Sequence, residues 1–432
     1  MKANTICAAL LLLSSAALAA ESPVLHHASP ESVGFDSQKL ARLDGWIQQQ
    51  VDAGYPGMNV LIVKDNAIVW QKAWGDAKKY NGSALMTVPI KATPSTLYDL
   101  ASNTKMYATN FALQKLVYEG KLSVDDRVAT YLPGFADQPT DTIKGKDRLR
   151  IIDILHHTAG FPADPQYPNQ QVAGALYSQD KRTTLDKINR TPLTYTPGTR
   201  HIYSDVDYMI LGFIIEAVTG MPLDQYVEET IYRPLGLHNT VFNPLKKGFR
   251  PEQIAATELN GNTRDGVITF PHIRTSTIWG EVHDEKAWYS MGGVSGHAGL
   301  FSTTGDMAVL MQVMLNGGQY GQTRLFDRKV VEAFTRSSAE DKTFGLGWRV
   351  NGTSAMTPTF GTLASPETYG HTGWTGTLTA IDPVNHMAIV ILGNRPHSPV
   401  ADPKANPNVF ESGLLPASTY GWIVDQVYGA LR

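Results

Sequence analysis

The chain has 432 residues, a formal net charge of −3 and a charged fraction of 18%. This near-neutral balance gives no electrostatic case for a nucleic-acid partner or for binding to an anionic membrane surface. The one cysteine, Cys7, lies in the N-terminal segment, so disulfides, thiolate zinc sites and cysteine catalysis are excluded for the remainder of the chain. Because roughly 410 remaining residues exceed the usual size of a single core, we expect two closely packed lobes.

Residues 1–19 have the pattern of an export signal. Lys2 supplies a basic start, residues 6–18 are mostly apolar, and Ala17-Leu18-Ala19 is an A-x-A cleavage site. We therefore predict Sec export to the periplasm, with a mature chain that begins at Ala20 or Glu21 and forms one domain over residues 20–432. The apolar stretch is short for a membrane span, so an uncleaved signal that associates weakly with the inner membrane is the alternative.

The N-terminal part is predicted to contain a helix and a pair of strands. Asp36 can cap a helix that continues to about Val51 with one apolar face. Residues 58–63 and 67–74 are predicted strands around a turn at 64–66.

The rest of the chain is predicted to be mainly helical in its middle and β-rich near its end. Helices are predicted from a capping box at Ser123 to Pro133, and over 151–157, 207–218, 306–315 and 420–431. Residues 375–382 and 387–392 are predicted to form a hairpin. These elements predict an α/β (α+β) fold: an antiparallel sheet of N- and C-terminal strands flanked by helices, beside an all-helical lobe. The cleft between the lobes is the expected place for a site.

Ser102 and Lys105 are the first candidates for chemistry. Their spacing, at the start of an apolar helix, puts a hydroxyl and an amine on one helical face, roughly 5–6 Å apart at Cβ. A serine becomes a useful nucleophile when a nearby base takes its proton, and a helix N-terminus favours developing negative charge. Ser178 and Lys181 repeat the spacing, but they lie in a polar stretch and are predicted to be at the surface.

Two later segments contain further candidates. Tyr203 could transfer a proton if a nearby cation lowers its pKa, or it could be a half-buried loop aromatic. Asp205 is equally consistent with a substrate contact and with an N-cap of the following helix. In the glycine-rich run from His371 to Gly376, close backbone approach to a ligand is expected, and His371 could offer a cation to a carboxylate or be a strand-edge residue.

No metal site is predicted. His156 and His157 are adjacent, but the sequence has no H-E-x-x-H motif and no third ligand at a useful spacing. We expect both histidines to contact carbonyl groups at the end of a helix. Asp284 and Glu285 are predicted to be solvated or capping acids.

Three motifs stand in order along the chain: S-x-x-K at residues 102–105, Y-x-D at 203–205 and H-T-G at 371–373. The set resembles the serine β-lactamase and penicillin-binding protein superfamily, on its class C and DD-peptidase side, where the motifs are S-x-x-K, Y-x-N and K/H-T-G. Residues 155–160, 197–212 and 299–303 are also similar to segments of that family, and the likeness covers nearly the whole chain after the signal.

The resemblance implies an α/β lobe with an antiparallel sheet beside an all-helical lobe, and D-Ala-D-Ala carboxypeptidase activity without a metal or organic cofactor. Ser102 would form the acyl-enzyme and Lys105 would take its proton. Tyr203 would help and would protonate the leaving amine. The backbone N–H groups of Ser102 and Trp374 would form the oxyanion hole.

The resemblance also implies how substrates are held. His371, Thr372 and Gly373 would bind the terminal carboxylate of a peptidoglycan stem peptide, Asp205 would contact substrate, and β-lactams would be covalent ligands. Asp205 stands where the family has asparagine, so it could pair with Lys105, hold it protonated and weaken it as a base. A cationic His371 would make the KM for peptide rise as pH increases through a pKa near about 6.5.

Other functions remain open on the sequence. An esterase, amidase or weak β-lactamase could use the same Ser102, because one scaffold hosts several reactions. A non-catalytic sensor of peptidoglycan or β-lactam is the alternative from another class. The presence of Ser102, Lys105 and Tyr203 together argues against the sensor.

Overall fold

A computed structural model describes residues 20–432, and an eight-stranded sheet lies at its centre. The predicted export signal, residues 1–19, is outside the described residues. In chain order the strands are β1 (His26–His27), β2 (Gly57–Lys64), β3 (Ala67–Asn81), β4 (Ala84–Lys91), β5 (Arg349–Val350), β6 (Tyr369–Gly373), β7 (Thr377–Asp382) and β8 (Met387–Gly393).

Strands from the two ends of the chain meet in this sheet. The spatial order is β1-β3-β2-β8-β7-β6-β5, and β4 pairs with β3. β8 runs antiparallel to β2, from Met387 opposite Lys64 to Gly393 opposite Met58. The sheet of N- and C-terminal strands is confirmed, but it is mixed rather than wholly antiparallel. β1 runs parallel to β3, because the intervening helix and β2 return the chain in the same direction.

The helices are divided between the two faces of the sheet. One face carries three helices, Ser37–Asp52, Thr357–Phe360 and Tyr420–Gly429. The other face and the helical lobe contain α-helices at Phe111–Tyr118, Val128–Tyr131, Ile151–Leu155, Gln170–Ala173, Lys181–Arg190, Asp205–Thr219, Leu223–Val227, Thr304–Leu315 and Arg328–Thr335, and π-helices at Lys105–Asn110, Glu228–Tyr232 and Lys286–Ser290.

Strand alternation separates two hydrophobic cores. Along β2, Leu61 and Val63 belong to the larger core, whereas Val60 and Ile62 belong to the smaller core under the first and last helices. Side chains on a strand point alternately to opposite faces, so one strand contributes to both cores.

Several sequence-predicted elements are confirmed. Asp36 caps the first helix, with its Oδ1 accepting hydrogen bonds from the backbone N–H groups of Gln38 and Lys39. The turn between β2 and β3 has Asp65 and Asn66 at φ +50° and +65°, which fits a two-residue hairpin turn. Gly220 ends the helix Asp205–Thr219 at φ +68°.

The helix predicted from Ser123 is wrong for most of its length. Only Val128–Tyr131 is helical. The backbone N–H groups of Ile151 and Ile152 donate to the carbonyls of Asp126 and Val124, so these carbonyls are not available for the bonds of a helix. The Ser123 N–H donates to Oδ2 of Asp126, so the predicted capping residues form a turn instead.

Three short strands form a small sheet, and the first of them leads into the predicted nucleophile, Ser102. Tyr98–Asp99 and Val241–Phe242 each pair antiparallel with Leu300–Ser302.

Within residues 20–432, no single helix has both the length and the apolar composition needed to cross a membrane. Asp205–Thr219 with Leu223–Tyr232 meets that test only as a pair bent by 70°.

Candidate active site

A sharp turn presents Ser102 at the junction of a strand and a helix. Strand Tyr98–Asp99 ends at the turn, and Ala101 has φ +47°, a left-handed conformation that is uncommon for a residue with a Cβ. The Ala101 N–H donates to Oδ1 of Asp99 at 2.8 Å, which holds this conformation. Ser102 follows, and the π-helix Lys105–Asn110 begins three residues later.

Strand β6 lies directly against this turn. A Cβ atom on Gly373 would collide with the Leu100 carbonyl oxygen and with Oγ1 of Thr377. Thr377 Oγ1 donates to the Leu100 carbonyl at 3.0 Å and accepts from Nδ2 of Asn103 at 3.0 Å. Only a glycine allows this approach, and the result is that the H-T-G segment borders Ser102.

Lys105 is fully buried and contacts three oxygen atoms. Its Nζ lies 2.8 Å from Ser102 Oγ, 2.8 Å from Asp205 Oδ1 and 3.2 Å from the carbonyl oxygen of His297. Burial by itself would lower the pKa of Lys105, but the Asp205 carboxylate and Tyr203 outweigh burial and hold that pKa above its usual value. Lys105 is therefore an ammonium in the resting site, and it must lose a proton before it can accept the one from Ser102.

Asp205 bridges two lysines instead of capping a helix. Ser204 is the N-cap of the helix Asp205–Thr219, so the capping alternative for Asp205 is wrong. Its Oδ1 accepts from Lys105, and its Oδ2 lies 3.1 Å from Nζ of Lys286. Burial would raise the pKa of Asp205, but the Lys105 and Lys286 ammonium groups hold it well below the usual range.

Tyr203 stands over Lys105, and His157 supports the segment around it. The Lys105 Nζ is 4.8 Å from the centroid of the Tyr203 ring. The Ser204 N–H donates to Nδ1 of His157 at 3.2 Å, and the Ile202 N–H donates to the His157 carbonyl at 3.0 Å. The backbone on both sides of Tyr203 is thus tied to one buried histidine.

The prediction that His157 contacts carbonyl groups at a helix end holds only for its backbone N–H, which donates to the Ile154 carbonyl, and not for its imidazole. His157 adopts a left-handed conformation at φ +56°, and its Nδ1 lies 2.8 Å from Oδ2 of Asp207. Burial lowers the pKa of His157 well below its usual value and raises the pKa of Asp207 well above its own. These pKa directions leave both groups uncharged, so the Asp207 carboxyl carries the proton that lies between its Oδ2 and Nδ1 of His157.

The prediction that His371 is a cation is wrong. His371 is 1% exposed, and its Nδ1 lies 2.7 Å from the Thr372 carbonyl oxygen, so Nδ1 carries the proton and Nε2 is left as an acceptor. Burial and the nearby Arg349 and Lys105 lower the pKa of His371 well below its usual value. Nε2 is buried without a hydrogen-bond partner, which leaves it free to accept one from a ligand.

Arg349 provides the cation that sequence reasoning missed. It lies on β5, opposite Gly370 of β6, and its Nη1 donates to Oγ1 of Thr372 at 3.2 Å. No local motif marks Arg349. Its place beside the H-T-G segment depends on the pairing of two strands whose sequences are about twenty residues apart.

Ser102 lies where two cavities meet. A cavity of about 400 Å³ is lined by Ser102 together with Tyr203, Arg349, His371, Thr372, Gly373 and Trp374. A second cavity of about 210 Å³ shares Ser102, Tyr203 and Trp374 and is otherwise lined mainly by ionisable residues that include Asp164, Asp205 and Lys286. Trp374 follows β6, stacks on His283 with ring centroids 4.9 Å apart, and lines both cavities together with Ser102.

One cluster in the described residues has the composition of a cation site. Potential ligand atoms of Asp205, Asp284 and His297 lie within 4.8 Å of one another. Both oxygens of Asp205 are engaged by lysines, and His297 Nε2 is 2.7 Å from Asp284 Oδ1. The ammonium groups already compensate these carboxylates, so we assign no metal ligands here. Asp284 also accepts from the Ala287 N–H, as expected of a capping acid.

The second S-x-x-K does not form a Ser–Lys pair. Ser178 is buried rather than at the surface as predicted, and its Oγ pairs with Oγ1 of Thr184 at 2.9 Å. Lys181 instead pairs with Glu216 at 2.7 Å.

This arrangement is that of a serine hydrolase site, and the chain belongs to the Beta-lactamase family, whose model matches residues 43–414. The chain is 75% identical over all 432 residues to a Salmonella typhi protein named "Putative D-alanyl-D-alanine carboxypeptidase", with full coverage of both chains.

Two solved structures have the same fold. EstCE1, a hydrolase with promiscuous acyltransferase activity, aligns at a TM-score of 0.67 and 22% identity, covering 91% of this chain and 99% of its own. The octameric penicillin-binding protein homologue from Pyrococcus abyssi aligns at 0.62 and 19% identity, covering 83% of this chain and 74% of its own.

Proposed function

We propose that the chain is a serine-type D-Ala-D-Ala carboxypeptidase that acts on peptidoglycan stem peptides through Ser102. The observation that carries this proposal is the 2.8 Å contact between Lys105 Nζ and Ser102 Oγ at the junction of two cavities. The name of the full-length Salmonella relative supports the substrate class.

In the proposed reaction, Ser102 Oγ bonds to the carbonyl carbon between two D-alanines while its proton moves to the uncharged amine of Lys105. The C–N bond then breaks, and the leaving amine takes a proton from Lys105 through Tyr203. D-Alanine departs and an ester remains on Ser102. Water next bonds to the acyl carbon, and one of its protons returns to Ser102 Oγ as the acid is released. The N–H groups of Ser102 and Trp374 would stabilise the oxyanion by about 3–4 kcal/mol per donor.

The larger cavity is proposed to receive the terminal D-alanine. Arg349 and the Thr372 hydroxyl lie together on its wall and can hold a carboxylate, and His371 Nε2 can accept a hydrogen bond beside them. Gly373 lets this wall approach Ser102. β-Lactams carry a carboxylate near a reactive carbonyl, and we propose them as covalent ligands of the same site.

Acylation and product release test the proposal together. Wild type and Ser102→Ala would be incubated with a penicillin and measured by intact mass, and D-alanine release would be followed from a D-Ala-D-Ala peptide. A penicilloyl adduct and D-alanine release that both require Ser102 are expected. D-Alanine release that persists in Ser102→Ala would reject the proposal.

An esterase that uses Ser102 is the second candidate, and the charge of Lys105 is the observation that favours it. The Lys105 ammonium, held by Asp205, must lose a proton before it can act as a base. An ester needs less help from a base, because its leaving group is better than an amine. A short ester hydrolysed much faster than the D-Ala-D-Ala peptide would favour this candidate.

We also propose that the chain is exported to the periplasm and cleaved after Ala19 or Ala20, with an uncleaved, weakly membrane-associated form as the alternative. The A-x-A pattern at residues 17–19 supports this proposal. Mass measurement of the protein recovered from periplasmic and membrane fractions tests it. A dominant species beginning at Ala20 or Glu21 in the periplasm is expected, and a membrane-bound species that retains Met1 would favour the alternative.

A further inference from the structure

Asp205 contacts a second lysine that no sequence motif includes. Lys286 is 2% exposed and begins the π-helix Lys286–Ser290. Its Nζ lies 3.1 Å from Oδ2 of Asp205 and also contacts Oδ1 of Asp164. The two oxygens of one carboxylate are therefore shared between Lys105 and Lys286.

This sharing changes what Asp205 does to Lys105. A carboxylate alone beside Lys105 would stabilise the ammonium and remove the base that Ser102 needs. A second cation on the far oxygen opposes that stabilisation, because its field at Lys105 disfavours another positive charge. Asp205 can then orient the Lys105 amine, while only part of the negative charge of the carboxylate acts on Lys105.

We propose that Lys286 is a positioning residue for acylation of Ser102, which holds the outer oxygen of Asp205 and so keeps Lys105 able to take the serine proton. The inference rests on the proposed function. It also fits the presence of Asp205 where the Y-x-N motif of the superfamily has asparagine, since an aspartate joined to a lysine has the net charge of a neutral amide.

The charges around Lys105, Asp205 and Lys286 determine whether loss of Lys286 makes Lys105 easier or harder to deprotonate. The other ionisable groups that face these three residues are Asp164, His157, Tyr203, Asp207, Asp284, His297 and His371. Asp284 is paired with His297 at 2.7 Å, whereas Asp164 is more than half exposed. Removing Lys286 leaves an excess of carboxylates around Lys105, so its ammonium form becomes harder to deprotonate.

The test is the pH dependence of acylation, measured on the full chain with a short ester and with a penicillin. In Lys286→Met, the rising limb of the plot of acylation rate against pH is expected to move to higher pH by about one to two pH units. This shift lowers the rate at pH 7 about 10- to 100-fold. Asp205→Asn is expected to move the limb to lower pH. The double variant is expected to return to within about threefold of wild type at pH 7.

Two variants control for structural effects. Lys286→Arg keeps the cation and is expected to keep the wild-type limb. Lys146→Met removes another fully buried lysine, whose Nζ donates to the Asn189 carbonyl away from the site, and is expected to lower stability without moving the limb.

A uniform loss of rate with an unmoved limb in Lys286→Met, or losses that simply add in the double variant, would overturn the inference. If Lys286→Met does not fold, the double variant must still lie to the alkaline side of Asp205→Asn. Ser102→Ala separates the two proposals. Acylation that persists in it rejects the proposed function, whereas acylation lost in Ser102→Ala but unshifted in Lys286→Met rejects only this inference.

Discussion

Arg349 is the permanent positive charge beside the H-T-G segment, and this changes the expected pH dependence of substrate binding. A neutral, buried His371 cannot supply a charge that titrates near neutral pH, whereas an arginine keeps its charge throughout. The KM for a D-Ala-D-Ala peptide is therefore expected to stay flat between about pH 5 and 8.5, rather than rise through a histidine pKa.

Replacing Arg349 by methionine should weaken the binding of a carboxylate. A charge-assisted contact contributes about 1.5–3 kcal/mol, so KM for the peptide should rise about 10- to 100-fold with little change in kcat. A peptide whose terminal carboxylate is amidated is the control, and its KM should not change. Equal losses for both peptides would mean that Arg349 supports the fold of the cavity and not the carboxylate.

The buried pair of His157 and Asp207 predicts how stability depends on pH. Asp207 has a raised pKa in the folded chain, so it is protonated there while an unfolded aspartate is ionised above about pH 4. Its stabilising contribution is complete below that pH and is lost as pH rises toward the folded pKa, by about 1.4 kcal/mol per pH unit. His157, whose pKa is lowered, contributes in the opposite sense below about pH 6.5.

Asp207→Asn should remove the alkaline loss. Its amide can donate to Nδ1 of His157 in place of the carboxylic acid and does not ionise. The free energy of unfolding of this variant should fall less between pH 5 and about 8 than that of wild type. Denaturant melts at several pH values measure the difference, and parallel curves for the two proteins would show that Asp207 is ionised in the fold.

At the scale of elements, prediction from sequence succeeded where the signal is local. The hairpin turn at Asp65 and Asn66, the Asp36 cap and the stop at Gly220 each depend on residues within a few positions, and each is confirmed. The helix at Ser123 failed because a distant segment, 149–152, competes for its backbone groups. Lys286 and Arg349 were missed for the same reason, since only tertiary pairing brings them to the site.

At Gly373, strand β6 and the turn before Ser102 lie so close together that the addition of one methyl group tests this contact. In Gly373→Ala the new Cβ would collide with backbone of the turn before Ser102, so that turn must shift. Overpacking of this kind costs about 1–3 kcal/mol, and acylation of Ser102 should fall by at least about tenfold. Gly45→Ala is the matched control. It lies in the first helix with open space around it, and should be neutral or slightly stabilising.

At the scale of the whole molecule, the pairing of β2 with β8 makes the two ends of the chain one structural unit. β8 also separates the two cores, because Ile391 belongs to the smaller core and Leu392 to the larger one. Neither core can lose its packing against β8 without exposing the strand that supports the other. We therefore expect the cores to unfold together, although the chain is long enough for separate transitions.

Ile391→Ala and Leu392→Ala test this expectation as a matched pair of neighbours. Each should lower the free energy of unfolding by about 2–5 kcal/mol, because each leaves a cavity in a closely packed core. Calorimetry and tryptophan fluorescence should give one coincident transition for wild type and for both variants, and loss of Ser102 acylation should follow the same curve. Two transitions, of which each substitution moves only one, would mean that the cores unfold independently and that β8 does not couple them.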